Sequence, residues 1–263
     1  MYDFALLKPT SLKDAIEALA DPDAQALGGG QTLLPTMKAR LAMSETFVAL
    51  SGVAEIQGIC ADDDGRICIG GGTTHAAVAR GAQDYPALAS LAARIGDPAV
   101  RNRGTIGGSL ANNDPSACYP PAVLASNATV CTPTREIAAD DFFRGLFETA
   151  LEEGEIITEV RFPVPEKAAY EKFIQPASRF PLVAVFVAKF PEGVRVAVTG
   201  ASASGVFRWT EAEEALSEDF SADAIKPLVA PDAAGMISDP HGTGAYRAHL
   251  VKVMTGRAVT AAG

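Results

Sequence analysis

The chain has 263 residues, is 48% hydrophobic and carries a formal charge of −10, from 22 Lys and Arg against 32 Asp and Glu. That is enough apolar material for a full core in one to three compact units, and the acidic balance argues against nucleic acid or an anionic membrane as partner. No apolar run approaches the roughly 20 residues that span a bilayer, and Met1 to Thr10 lacks the basic-then-apolar order of an export signal, so a cytoplasmic chain without a membrane segment is expected.

Ser11 is placed to cap a helix carrying Leu12, Ala15, Ile16 and Leu19 at helical spacing, with Asp14 three residues on. Asp21-Pro22 ends it. Ala24 to Leu27 reads as a strand that runs into Gly28-Gly29-Gly30-Gln31-Thr32-Leu33. Thr32 is expected to cap the next helix, with Leu34, Met37 and Leu41 as its buried stripe and Lys38 and Arg40 toward its C-terminal end, where cations are favoured. Thr46 to Leu50 reads as a strand, so the opening alternates in the α/β manner.

Asp62-Asp63-Asp64-Gly65 is a turn between two short strands, the second at Arg66 to Ile69. Gly70-Gly71-Gly72 leads to Thr73-Thr74, a cap for a helix through Val78. Leu88, Leu91, Ala92 and Ile95 mark a helix after Pro86, stopped at Gly96-Asp97-Pro98. A second glycine loop, Gly104-Thr105-Ile106-Gly107-Gly108-Ser109, precedes the turn Asn112-Asn113-Asp114-Pro115. Pro120 to Leu124 forms one helical turn, Ala128 to Cys131 and Arg135 to Ile137 a hairpin, and Glu155 to Phe162 is β-rich until Pro163-Val164-Pro165 breaks it. The rhythm changes near Glu166 to Ala168. Tyr170 to Ile174, Leu182 to Phe190 and Val194 to Thr199 read as strands; Thr210 to Leu216, Ala222 to Val229 and Ala245 to Arg257 read as helices. Strands followed by helices point to a small α+β unit.

Cys60, Cys68, Cys118 and Cys131 form no C-x-x-C pair and no zinc spacing, and they offer no iron–sulfur ligand set. They read as buried or half-buried free thiols in a reducing compartment. His75, His241 and His249 are scattered and read as solvated or core-edge residues, and Trp209 as packing. No catalytic residue emerges from the spacing.

The two glycine loops carry the strongest signal. Glycine lets a ligand approach the main chain, and successive N–H groups can surround an anion without arginines. Two loops that each pair Gly-Gly with Thr or Ser are suited to gripping a diphosphate from two sides. Neither fits the dinucleotide fingerprint G-x-G-x-x-G, since Leu33 stands three residues beyond Gly30, and no Walker loop exists.

Leu27 to Lys38 resembles the first FAD-binding motif of the flavin subunits of molybdenum hydroxylases, and Gly104 to Pro115 resembles the second. Within that xanthine dehydrogenase group the chain is most similar to the carbon monoxide dehydrogenase medium-chain type. The likeness extends to Phe4 to Ala15, Ile69 to His75, Tyr170 to Phe173 and Gly205 to Arg208. It departs at Gly28, where alanine is common, and at Cys118-Tyr119, where Ala-Asp or a similar pair is frequent.

The resemblance implies an α+β fold. Two α/β subdomains, residues 1–55 and 56–167, would form an FAD-binding fold of the vanillyl-alcohol-oxidase/PCMH kind, followed by a C-terminal α+β domain, residues 168–263. Gly28, Gly29, Gly30, Gln31, Thr32 and Leu33, with Thr105, Ile106, Gly107, Gly108 and Ser109, would wrap the diphosphate of FAD. Asp114 would hydrogen-bond a sugar or ribityl hydroxyl, and Lys172 would lie near the flavin end. A large molybdopterin-binding subunit and a small 2Fe–2S subunit would carry the molybdenum cofactor and the clusters. The heteromer would be a dimer of heterotrimers, with electrons passing from the clusters through FAD to a terminal acceptor. A stand-alone flavin oxidoreductase of the same fold and a non-redox nucleotide-binding subunit are the alternatives. Several residues keep a second reading: Asp114 as cap of its own turn, Lys172 in a surface ion pair, Thr32 and Thr105 as helix caps, Gln31 serving its own loop, and Arg101 and Arg103 as solvated loop edges rather than phosphate or partner contacts.

Overall fold

The computed structural model describes residues 1–263. The chain opens with β1 (Ala5–Leu7), α1 (Leu12–Leu19), β2 (Ala24–Leu27), α2 (Leu33–Lys38) and β3 (Thr46–Ala49). These strands form a parallel sheet in the order β1-β3-β2. Ser11 caps α1 as expected, its hydroxyl accepting from Asp14 N at 3.1 Å. Thr32 occupies the cap position of α2, but its side chain makes no capping bond. The expected stripe on α2 is shorter than its spacing implied: Met37 is buried, whereas Leu41 is 81% exposed. The helix ends at Lys38, and Arg40 takes a positive φ of 60°, which carries Leu41 out of the helical register.

The second group holds β4 (Ile59–Ala61), β5 (Ile67–Gly70), α3 (His75–Gly81), α4 (Pro86–Ala93), α5 (Pro98–Arg101), α6 (Ile106–Asn112) and α7 (Tyr119–Ala125). It continues through β6 (Thr129–Cys131), β7 (Glu136–Ala138), α8 (Ala139–Phe142), the small hairpin β8 (Phe143–Gly145) and β9 (Glu148–Thr149), and β10 (Glu159–Phe162). An antiparallel five-stranded sheet runs in the order β4-β5-β10-β6-β7. The acidic turn lies between β4 and β5 and the hairpin of β6 and β7 is present, both as the sequence indicates. The second glycine segment is not a free loop. From Ile106 onward it is helical, because Thr105 caps α6 by accepting from Gly108 N at 3.1 Å.

The last group is β11 (Lys167–Ile174), β12 (Pro181–Phe190), β13 (Gly193–Thr199) and β14 (Phe207–Arg208), an antiparallel sheet in that order. Helices α9 (Thr210–Glu218), α10 (Ala222–Ile225) and α11 (Gly244–Ala262) follow it. Strand β12 explains how the groups are joined. Its side chains alternate between faces: Ala184, Phe186 and Ala188 enter the core shared with α4 and α7, while Val183, Val185 and Val187 enter the core under α9 and α11. A strand buried on both faces needs the continuous apolar run seen in its sequence. Arg247 of α11 is buried and donates to the carbonyls of Leu182 and Gly200, both at 2.7 Å, which pins the helix to the sheet. No helix is long and apolar enough to cross a membrane.

Candidate functional site

The first glycine loop leaves β2 and enters α2. The backbone amides from Gly28 to Leu33 donate to no carbonyl of the chain. They form a run of consecutive donors on residues that are all half-buried or exposed. Gly30 has φ +70°, the left-handed turn that lets the run curve. Gln31 serves the loop itself, its Nε2 donating to Gly29 O at 3.1 Å.

The loop rests directly on the second glycine segment. A Cβ on Gly29 would fall onto the carbonyl of Arg103, and one on Gly28 would stand 3.0 Å from Thr105 Oγ1 and 3.9 Å from Gly108 Cα. The structure therefore brings Gly28, Gly29, Thr105 and Gly108 together. The two segments are not equivalent, however. In the second, Ile106 N donates to Thr73 O at 3.1 Å, Gly107 N to Gly71 O at 2.8 Å, and Ser109 N to Thr105 O at 3.0 Å. These amides close the protein against itself. The third glycine run is what they close against, and Gly71 in turn donates to Thr158 O at 2.8 Å. The sequence suggests for that run only the helix cap that follows it. Thr74 does cap α3, accepting from Ala77 N at 3.3 Å, but the run's larger task is to receive α6.

Asp114 keeps its own turn: Oδ1 accepts from Ser116 N at 2.8 Å. Its neighbour Asn113, which the sequence places only in that turn, ties the turn to the β8–β9 hairpin. It sits in the left-handed region at the end of α6, and its Nδ2 donates to Gly145 O at 2.8 Å and Glu148 O at 2.9 Å. Asparagine is among the few residues that tolerate this conformation, which was the available signal.

Lys172 is buried, not on the surface. Its Nζ donates to Arg94 O at 3.0 Å and lies 3.5 Å from Cys118 Sγ. Arg94 follows the last turn of α4, where a helix presents unpaired carbonyls to a cation. Burial holds the Lys172 amine below its ordinary range, and the Cys118 thiol works the other way. Cys118 lies four residues beyond Asp114, so the turn and Lys172 share one neighbourhood. Tyr119 and Tyr170 both have buried hydroxyls without a partner. His75 is likewise buried, with Nδ1 unpartnered, and burial first and Arg101 second push it down to about 4. Arg101 donates to the Ile95 carbonyl at 2.9 Å and so has a structural task. Trp209 packs in the core under α9 and α11.

The family described as the FAD binding domain in molybdopterin dehydrogenase matches residues 2–165. The chain belongs to that family. It is 33% identical to the nicotine 6-hydroxylase medium subunit of Paenarthrobacter nicotinovorans over 272 residues, 97% of this chain and 95% of that one. It is 32% identical to the carbon monoxide dehydrogenase medium chain of Afipia carboxidovorans over 276 residues, 96% of this chain and 94% of that one. Among solved structures, a chain of reconstituted CO dehydrogenase from Oligotropha carboxidovorans superposes with a TM-score of 0.90 at 30% identity, covering 99% of this chain and 98% of that chain. The protein is thus an FAD-binding oxidoreductase subunit of the molybdenum hydroxylase family, of the medium-chain type, with the expected mixed α and β fold.

The residues present fit FAD. Its diphosphate needs a set of donors and close main-chain approach, and the flavin domain supplies open amides from Gly28 to Leu33 beside the capped start of α6. Ordinary clusters of arginine are not required for this.

Proposed function

We propose that this subunit holds FAD with the diphosphate on the amides of Gly28, Gly29, Gly30, Gln31, Thr32 and Leu33. Thr105 and Ser109 face it from the second segment, and Ile106, Gly107 and Gly108 set the position of that segment. Asp114 hydrogen-bonds a sugar or ribityl hydroxyl through whatever capacity its turn leaves free, and Lys172 orients the flavin end from below. In this reading residues 1–55 and 56–167 are the two cofactor-binding subdomains and residues 168–263 the C-terminal domain. FAD bound there supplies reversible uptake and release of electrons. The chain's own residues bind it, orient it and shield one side from water; none acts as an acid or base.

The subunit works in a cytoplasmic heteromer with a large molybdopterin-binding subunit and a small 2Fe–2S subunit, arranged as a dimer of heterotrimers, and relays electrons from the partner clusters to a terminal acceptor. The family match and the medium-subunit relatives support this assembly. The observation that carries the binding reading is the run of unpaired amides between β2 and α2.

Thr32→Glu tests it. The Thr32 side chain is exposed and caps nothing, so the fold tolerates the change. A carboxylate placed on the amide run opposes the diphosphate by about 1 kcal/mol per charge pair in water and about 4 at an effective dielectric of 20 for charges 4 Å apart. Flavin content per folded chain after desalting, read from the visible spectrum, should fall sharply. Full flavin content in a natively folded Thr32→Glu protein refutes the assignment.

A further inference from the structure

The five-stranded sheet turns one face to the core and the other outward, and the outward face holds chemistry that the cofactor reading leaves unused. The two-residue period sends Ile67, Ile69, Val130, Val160 and Phe162 into the core. It sends Cys68 of β5, Cys131 of β6, and Glu159 and Arg161 of β10 the other way. They line a cavity of about 660 Å³ that contains none of the residues assigned to FAD. Cys60 of β4 pairs directly across from Cys68. One ligand atom each from Cys60, Cys68 and Glu159 lies within 4.8 Å of the others.

We propose that Cys60, Cys68 and Glu159 form a site for a thiophilic divalent cation of the zinc class, open toward this cavity. Two sulfurs and one carboxylate oxygen suit a borderline-soft ion, and three protein ligands leave a fourth position for water. A tetrahedral ion with metal–sulfur bonds of about 2.3 Å sets its ligand atoms roughly 3.8 Å apart. Small side-chain rotations reach that spacing, and Cys60 is exposed and free to make them.

Arg161 Nε donates to Glu159 Oε1 at 2.6 Å, which orients the carboxylate and leaves its second oxygen for the ion, as outer-shell partners of metal ligands do. The nearby positive charges are already matched: Arg66 pairs with Asp62 at 2.7 Å, and Arg161 also pairs with Glu136 at 2.6 Å. Asp62 Oδ2 lies 3.7 Å from Cys68 Sγ and adds a negative charge beside the three ligand atoms.

Cadmium serves as the spectroscopic probe. The full chain, reduced and stripped of metal by a chelator, is titrated with Cd²⁺ and followed by near-ultraviolet thiolate-to-cadmium difference absorption. The expected band saturates at one equivalent per chain, is displaced by Zn²⁺, and is absent in Cys60→Ser. Glu159→Gln should raise the dissociation constant about tenfold or more, since even outer-shell changes cost roughly 10–100-fold. Cys131→Ser should leave the band unchanged, and Cys60→Ser should keep full flavin content, which separates this site from the cofactor site. Cys60 is exposed, so Cys60→Ser folds, and circular dichroism checks that. The absence of a saturable band in the parent chain, or its persistence in natively folded Cys60→Ser, overturns the proposal.

Discussion

Gly107 is the position where the structure makes a quantitative demand. A Cβ there would stand 2.6 Å from Gly71 O and 3.0 Å from both Gly71 C and Cα. All three are backbone atoms, so Gly107→Ala must move α6 away from the third glycine run. That displacement stretches the Gly107 N to Gly71 O hydrogen bond, now 2.8 Å. Overpacking costs about 1–3 kcal/mol, and the weakened bond about 0.5–1.5 kcal/mol. Alanine returns up to about 1 kcal/mol of helix propensity. The balance is a loss of about 0.5–4.5 kcal/mol, a fall in melting temperature of roughly 1–18 °C for a chain of this size. The assay is thermal unfolding of flavin-free protein by far-ultraviolet circular dichroism, so that ligand binding does not contribute. Gly108→Ala is the internal control. Gly108 is exposed, and the nearest atom to its added Cβ is the Thr105 hydroxyl at 2.9 Å, a side chain that can turn. Its effect should stay within about 1 kcal/mol, the cap loss offsetting the propensity gain. Equal melting temperatures for the two variants would refute the view that Gly107 is required by packing. A bulky residue at Gly107 is for the same reason a poor probe of cofactor binding: it would damage the fold first.

Two further outcomes follow from buried titratable groups. His75, pushed down to about 4 by burial and Arg101, binds its proton more weakly folded than unfolded. Its contribution to stability is therefore present above pH 6.5 and is lost as pH falls toward 4, by roughly 2–3 kcal/mol. His75→Asn should flatten that part of the stability-against-pH curve in urea unfolding; a difference curve without slope between pH 6.5 and 4 would refute the assignment. Lys172→Met removes a buried amine and its bond to Arg94 O while keeping most of the volume. Relief of desolvation opposes the lost hydrogen bond, so stability should change by about 1 kcal/mol or less. A visible-spectrum shift or a fall in flavin affinity in that stable variant marks Lys172 as a flavin neighbour, and an unchanged spectrum and affinity mark it as structural.

Much of this architecture is written locally in the chain. The Ser11 cap, the strand from Ala24 to Leu27, the β6–β7 hairpin and the three long strands after Glu166 all follow from caps, turn residues and apolar runs. The two-residue strands β9 and β14 are too short for a two-residue period to show. Lys172 misleads for another reason. Alternation along Tyr170-Glu171-Lys172 places the lysine on the inner face with Tyr170, and only partners distant in sequence, the Arg94 carbonyl and the Cys118 sulfur, make that tolerable. No neighbour in sequence announces it.

The glycine segments give the sharper case. Gly107-Gly108 reads as loop because each glycine costs about 1 kcal/mol in a helix. The helix forms because Thr105 caps it and because the contact with Gly71 admits no side chain. Composition makes the first and second segments look alike, yet the first leaves its amides open while the second uses them on Thr73, Gly71 and Thr105. What separates a run of open amides from a packing seam is the identity of the opposing surface. Here that surface is a third glycine run about thirty-five residues upstream of the second. A sequence read one segment at a time cannot weigh it. Each glycine-rich stretch therefore has to be judged with the others, since one of them can supply the wall that closes the amides of another.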